Sequence, residues 1–341
     1  MQLEASSIGL VRSVMTRLMI ILVMAGALLA SAPAAADPLP SWSNTEAKAR
    51  IIDFVERVTD PKSPGYVTPA ERIAVFDNDG TLWSEQPMYF QALYALDVVR
   101  EKAKADPSIL KSDVLKAAAK GDMKGIMAGG EQGLLDIINL SHAGITAEDF
   151  MANVQKWVTS SRHPATGRSY ISMTYQPMLE LLRFLRDEGF STYIVSGGGI
   201  DFIRSFAKQS YGIPSWQVVG TQGNSSYTVS DQGVPTIIKD GGVSFVDDRE
   251  GKPVGIMRHI GKRPIFAAGN SDGDFAMLEW TTAGDGPRFG MLIHHTDAKR
   301  EFANDRKSPV GQLARGLDEG PGRGWLIVDM ARDWKQIWPD K

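Results

Sequence analysis

The chain has 341 residues, a formal net charge of −3, 43% hydrophobic residues and no cysteine. Without cysteine it has no disulfide, no thiol chemistry and no lipoprotein attachment. Its mild acidity leaves no basic footprint for nucleic acid. The length accommodates a core domain plus a substantial insert.

Arg12 and Arg17 form a basic leader, followed by an uncharged apolar run over residues 18–30. Ala34 and Ala36 then occupy the A-x-A positions of a signal-peptidase site, so residues 1–36 are expected to be a signal peptide cleaved after Ala36. An uncleaved anchor is the rival, because residues 18–36 carry no charge. The small residues and Pro33 of the second half favour cleavage, which leaves no stable membrane span. Export without disulfides suits a bacterial periplasm better than a disulfide-dense secreted scaffold.

Residues 45–58 read as an amphipathic helix with Ile51, Ile52, Phe54 and Val55 inward, and 60–69, with Pro61, Pro64, Gly65 and Pro69, as a loop. Ile73-Ala74-Val75-Phe76 reads as a short buried strand that ends in Asp77-Asn78-Asp79-Gly80. Residues 84–165 read as helical, clearest over 88–104 and over 146–160 with its Thr-Ala-Glu-Asp start. The pattern then alternates. Helix 176–188 stops at Gly189, strand 191–195 meets Ser196-Gly197-Gly198-Gly199, helix 200–210 follows, and 216–220 is a strand. Residues 221–250 suggest a hairpin, 252–260 a helix, 264–268 a strand, 275–280 a helix, and 289–293 and 325–329 two further strands. Strands alternating with helices imply an α/β fold, a doubly wound parallel sheet covered on both faces. The expected division is a core over 37–83 and 166–341 with an inserted helical cap over 84–165.

A buried strand that delivers two acids to its carboxyl end is costly, because like charges repel and ionised carboxylates resist desolvation. A hard divalent cation such as Mg2+ is the usual partner for such oxygen ligands. The bland alternative is an ordinary Asp/Asn/Gly turn. In an open parallel sheet ligands bind at strand carboxyl ends. Three such ends are loaded here: Asp77/Asp79, Ser196 with its glycines, and Asn270/Asp272/Asp274. The Ser196-Gly197 run offers a hydroxyl and approachable N–H groups for a phosphate, or is only a flexible turn. Lys252 opens a helix and so belongs on the same rim. Lys262 stands just before a strand, on the opposite one.

The order Asp-x-Asp-Gly-Thr, strand-Ser-Gly-Gly, Lys, then Gly-Asn-Ser-Asp-Gly-Asp resembles the haloacid dehalogenase superfamily over residues 70–300. The insert after the first motif resembles that of the capped phosphatases related to phosphoserine phosphatase. The resemblance implies a Rossmann-like core and an Mg2+-dependent phosphomonoesterase acting on a small phosphorylated metabolite. Asp77 would be the nucleophile forming an aspartyl-phosphate, and Asp79 the acid/base. Ser196, Gly197 and Lys252 would bind the phosphoryl group. Mg2+ would be held by the Asp77 carboxylate, the Asp79 main-chain carbonyl and the last motif, through Asn270 and Asp274. Dehalogenases of the superfamily lack an acid at position 79, so Asp79 favours ester hydrolysis.

Two departures stand out. Asn270 occupies a place where a ligating Asp is frequent, which predicts weaker metal binding unless Asp274 or Asp272 compensates. Gln86 stands where the phosphoserine subgroup has a substrate-reading Glu. The adjacent Glu85 is expected to point elsewhere, and specificity is assigned to Trp83, Glu85, Met88, Tyr89 and the cap. An aromatic beside an acid suits a cationic alcohol moiety, although Trp83 and Tyr89 also read as packing between cap and core. His294-His295 lack a third spaced ligand for zinc and read as a polar loop with one structural histidine. The rival functions are a phosphotransferase or phosphomutase on the same scaffold, and a binding protein on a decayed phosphatase fold.

Overall fold

The computed structural model describes residues 36–340, and the folded body begins at Leu39. The expected leader over 1–36 lies outside the described residues, apart from Ala36. Among the described residues no helix is long and apolar enough to cross a membrane.

In chain order the elements are α1 (Glu46–Thr59), β1 (Ile73–Phe76), α2 (Phe90–Ala105), α3 (Asp113–Lys120), α4 (Met123–Ala128), α5 (Gly130–His142) and α6 (Ala147–Ser160). Then come α7 (Gln176–Asp187), β2 (Ser191–Gly199), α8 (Ile200–Arg204), α9 (Ala207–Tyr211), β3 (Val218–Val229) and β4 (Pro235–Phe245). The last are α10 (Gly251–His259), β5 (Phe266–Gly269), α11 (Phe275–Thr282), β6 (Phe289–His294), α12 (Arg315–Glu319), β7 (Leu326–Asp329) and α13 (Met330–Asp333).

The seven strands are ordered β4-β3-β2-β1-β5-β6-β7. All pairings are parallel except the β3–β4 hairpin. The alternation of β1 explains its all-apolar composition. Ala74 and Phe76 join the apolar layer with Phe54 of α1 and Leu181 and Leu185 of α7, while Ile73 and Val75 join the opposite layer with Ile256 of α10 and Leu278 of α11. Both faces are covered, so neither can be polar. The chain leaves β1 toward β2 on one side and returns to β5 on the other. A crevice therefore opens at the carboxyl ends of β1 and β5, where strand order reverses.

The insertion between β1 and α7 has its own apolar cluster, built from Ala95, Leu96, Val99, Leu115, Ala118 and Ile137. Several local expectations change. Residues 84–89 are not helical, and α2 begins only at Phe90. The helix expected over 200–210 is two short helices, because the backbone breaks at Phe206 (φ −128°), whose ring stacks on Trp83. Strand β2 runs on through the glycines, with its pairing register to β3 shifting between Ser196 and Gly199. The β3–β4 hairpin also bonds to the insertion: Gly144 donates to the Lys239 carbonyl, Lys239 to the Ile145 carbonyl, and Gly242 to Asn139 Oδ1.

Candidate active site

The carboxyl end of β1 turns sharply. Asp77 N–H still donates across the sheet to the Ala268 carbonyl, after which Gly80 N–H bonds to the Trp83 carbonyl and Leu82 N–H to that of Asn78. Gly80 sits at φ +74°, and a Cβ there would lie 2.1 Å from Asn270 Nδ2. Conformation and crowding both demand glycine.

Lys252, 2% exposed, rises from the first turn of α10 into this crevice. Its Nζ donates to Asp77 Oδ1 (2.7 Å), Asp274 Oδ1 (2.5 Å) and the Val195 carbonyl (3.0 Å), which uses all three protons. Burial opposes its charge, but Asp274 and Asp77 raise its pKa further than burial lowers it. Asp77 is pushed well above the usual carboxylate range, by burial first and by Asp274 second, against the pull of Lys252. Its Oδ2 accepts no hydrogen bond among the described residues. Lys262, in contrast, reaches Glu71 and the Ala70 carbonyl at the far end of the sheet.

Asp79 is half-buried, and desolvation raises it to about 6, although the Trp83 indole N–H, 2.9 Å from its Oδ1, pulls the other way. Trp83 itself is fully buried, stacked on Phe206 and edge-on to Phe90. The expectation that Trp83 reads substrate is therefore corrected: its ring lies beneath the rim, and its polar edge orients Asp79.

The last motif divides its labour differently from the expectation. Asp274 Oδ2 accepts from the N–H groups of Asn270 and Ser271 and from Ser271 Oγ, while Oδ1 holds Lys252. Asp274 thus fixes the β5 turn through one oxygen and the lysine through the other. Asp272 accepts from the N–H groups of Ala314, Arg315 and Gly316 and caps α12, so it does not compensate. Asn270 Oδ1 accepts from Thr81 Oγ1 (3.1 Å), and its Nδ2 donates to Glu85 Oε1 (2.8 Å).

Glu85 was expected to point elsewhere than the substrate-reading Glu of the phosphoserine subgroup and was assigned to specificity. Because residues 84–89 are not helical, it turns inward against Asn270, and burial lifts it to about 8 despite the nearby His295. Tyr89 stays exposed at the lip, its hydroxyl accepting from Gly311 N–H.

Ser196 is buried, with its Oγ accepting from Gly198 N–H (3.1 Å). Gly199 N–H donates to Gln91 Oε1 (2.7 Å), so α2 of the insertion touches the glycine run directly. Gln91 also meets His142 Nε2 (3.1 Å), whose other ring nitrogen lies 2.6 Å from Ser141 Oγ. Burial drives His142 down to about 3, which keeps it neutral. Gln91 and His142 carry no sequence signal; only the docking of the insertion reveals them.

His295 lies behind the β1 turn. Its Nε2 faces the Gly80 carbonyl (2.7 Å) and its Nδ1 faces Glu301 Oε2 (3.2 Å), so both nitrogens must donate and the ring is an imidazolium. His294 faces Asp305 at 3.6 Å, away from the turn. A surface cleft lined by Asp53, Arg57, Arg72 and Gly189 lies at the amino ends of the strands, remote from this chemistry.

Among the described residues no three His, Cys, Asp or Glu side chains converge as a metal cage. The rim nonetheless fits Mg2+, which keeps several waters and needs few protein oxygens. Asp77 Oδ2 and the Asp79 carbonyl are uncommitted, and among the described residues Lys252 pairs with Asp77 and Asp274 only, which leaves Asp79 and Glu85 without an ion pair.

A family model described as haloacid dehalogenase-like hydrolase matches residues 74–279. No curated protein matches the sequence. Among solved structures, a protein of unknown function from Anaerococcus prevotii is similar with a TM-score of 0.50 and 17% identity, over 76% of this chain and 89% of that one. One of unknown function from Bordetella pertussis aligns with a TM-score of 0.47 and 17% identity, over 76% and 99%. A phosphoserine phosphohydrolase-like protein from Francisella tularensis gives 0.35 and 15%, over 74% and 98%.

Proposed function

Because the chain belongs to the haloacid dehalogenase-like hydrolases, we propose that it is an exported, Mg2+-dependent phosphomonoesterase of the capped, phosphoserine-phosphatase-like branch. The observation that carries this reading is the three-way anchoring of Lys252. It holds Asp77 by one oxygen at the strand-order reversal and leaves the other without a hydrogen bond among the described residues.

In the first step Asp77 attacks phosphorus and the P–O ester bond breaks. The proton that the leaving alkoxide takes comes from Asp79, whose pKa near 6 lets it carry one at neutral pH in a useful fraction of molecules. In the second step Asp79, now a carboxylate, takes a proton from water as that water attacks the aspartyl-phosphate. Inorganic phosphate leaves and Asp77 is regenerated. Splitting one displacement into two lowers each barrier, and the Lys252 charge stabilises the negative phosphoryl oxygens beside Ser196 and Gly197. When bound, Mg2+ would be held by Asp77, the Asp79 carbonyl and Asn270, and would supply further neutralisation of phosphoryl charge. The insertion, with Gln91 already on the glycine run, would cover small substrates and exclude bulk water.

A panel of phosphomonoesters that includes para-nitrophenyl phosphate, assayed with Mg2+ for phosphate release, tests this. Turnover is expected from the wild type, and Asp77→Asn should lose at least about 10³-fold. Wild-type activity retained in the variant would overturn the mechanism. Export after removal of residues 1–36 is checked by the mature N-terminus, expected at Asp37.

A further inference from the structure

The metal subsite proposed above has an amide where an acid is frequent, and the acid stands next to it. Glu85 Oε1 lies 2.8 Å from Asn270 Nδ2. Were position 270 a carboxylate, two negative oxygens would share that contact, which is costly in a buried site. The two positions therefore hold one charge between them. We propose that Glu85 supplies the carboxylate that position 270 lacks, so that in this chain the metal-binding acid has moved from the end of β5 to the segment that follows β1.

Three observations support the transfer. Among the described residues Glu85, 2% exposed, forms no ion pair with Lys, Arg or His, and its single hydrogen bond is the one to Asn270, which leaves Oε2 uncommitted. The nearby imidazolium of His295 is taken by Glu301 and the Gly80 carbonyl, and Lys252 is saturated by other acceptors. An ionised carboxylate buried with no fixed counter-charge is unstable unless a mobile cation arrives. The surroundings are also carved for this side chain. A Cβ at Gly311 would fall 1.8 Å from Glu85 Oε1 and one at Gly80 2.6 Å from it, and both glycines have positive φ (65° and 74°). The loop before α12 and the turn after β1 thus both stay bare where Glu85 lies.

The inference rests on the metal-dependent reading of the site, and its test reads metal binding without turnover. Mg2+ is titrated calorimetrically into the mature, substrate-free chain, with Mn2+ followed in parallel by electron paramagnetic resonance. Glu85→Gln keeps the shape and the Asn270 contact, and should weaken both ions at least about 10-fold. Its metal-free thermal midpoint should not fall, which shows that the variant folds. The swap Glu85→Gln with Asn270→Asp should bring Mg2+ affinity back to within about 3-fold of wild type, because the charge returns to the same subsite. Wild-type Mg2+ affinity in Glu85→Gln, or no recovery in the swap, would overturn the proposal. In the first of those cases, a raised KM confined to cationic phosphate esters would make Glu85 a substrate-reading group instead. If the swap behaves as expected while no phosphomonoester is turned over, the phosphatase reading fails and the relocated ligand stands.

Discussion

Two buried clusters of ionisable groups flank the turn after β1, and they are built on opposite principles. Behind the turn, Glu301 Oε1 accepts from Tyr175 and Ser84, its Oε2 accepts from the Phe302 N–H and from His295, and His295 passes its other proton to the Gly80 carbonyl. Charges cancel and every polar atom named is used. On the rim, Asp77 and Asp274 share Lys252 while Asp79 and Glu85 have no ion pair among the described residues, and oxygens of Asp77 and Glu85 remain open. The pKa directions follow. Glu301 is lowered, against burial, by His295 and the Ser84 hydroxyl, whereas burial raises Asp79 to about 6 and Glu85 to about 8. A balanced buried cluster holds a fold, and an unbalanced one awaits a ligand.

The sharpest way to break this contrast is to remove one acid from each cluster. Glu301→Gln strands the His295 imidazolium and should cost about 3–5 kcal/mol in urea unfolding. Asp77→Asn should cost nothing or stabilise, because it relieves repulsion and Lys252 keeps Asp274 and the Val195 carbonyl. Equal losses in both variants would erase the distinction.

The two buried histidines extend the comparison through pH. His142 has a folded pKa near 3, below the ordinary 6.5, so its neutral form is the one the fold accepts. Stability is complete above about 6.5 and falls as pH drops toward 3. At pH 5 the loss should be about 2 kcal/mol, seen as the difference in urea midpoints between wild type and His142→Gln. His295 runs the other way. Burial lowers it, but Glu301 raises it more, so its contribution is present below the unfolded pKa and is lost as pH climbs through the raised folded value.

The smallest effect expected is at Trp83. Trp83→Phe removes the N–H that holds Asp79 down, so the alkaline limb of the kcat/KM profile, where the proton donor is lost, should move to higher pH by less than about one unit. An unmoved limb would separate Trp83 from the acid.

Much of the core was legible because its signals are local. Ile73 to Phe76 is a run too short and too apolar for anything but a strand buried on both faces, and the three loaded strand ends follow from apolar segments that stop at Asp77, Ser196 and Asn270. Lys252 could be placed by the rule that helix starts and strand ends share a rim. The segment 84–89 was not legible. Its path depends on Met173 and Gly311, which bond to Ser84 and Tyr89 from far along the chain, and so the inward turn of Glu85 had no local signature. The same holds for Trp83, whose aromatic neighbours Phe202, inside α8, and Phe206, at the break before α9, lie far along the chain.

From its own residues the chain determines a family, a sheet and the identity of the acids at the strand ends, because apolar run length and motif order are properties of neighbouring residues. The tertiary structure alone decides which acid serves which purpose. Lys252 meets Asp77 across 175 residues, and Glu85 meets Asn270 across 185. Those meetings commit Asp274 to the lysine, free one oxygen of Asp77, and set Glu85 beside the amide. Charge balance in a buried site depends on distances, and distances between remote residues exist only once the chain has folded.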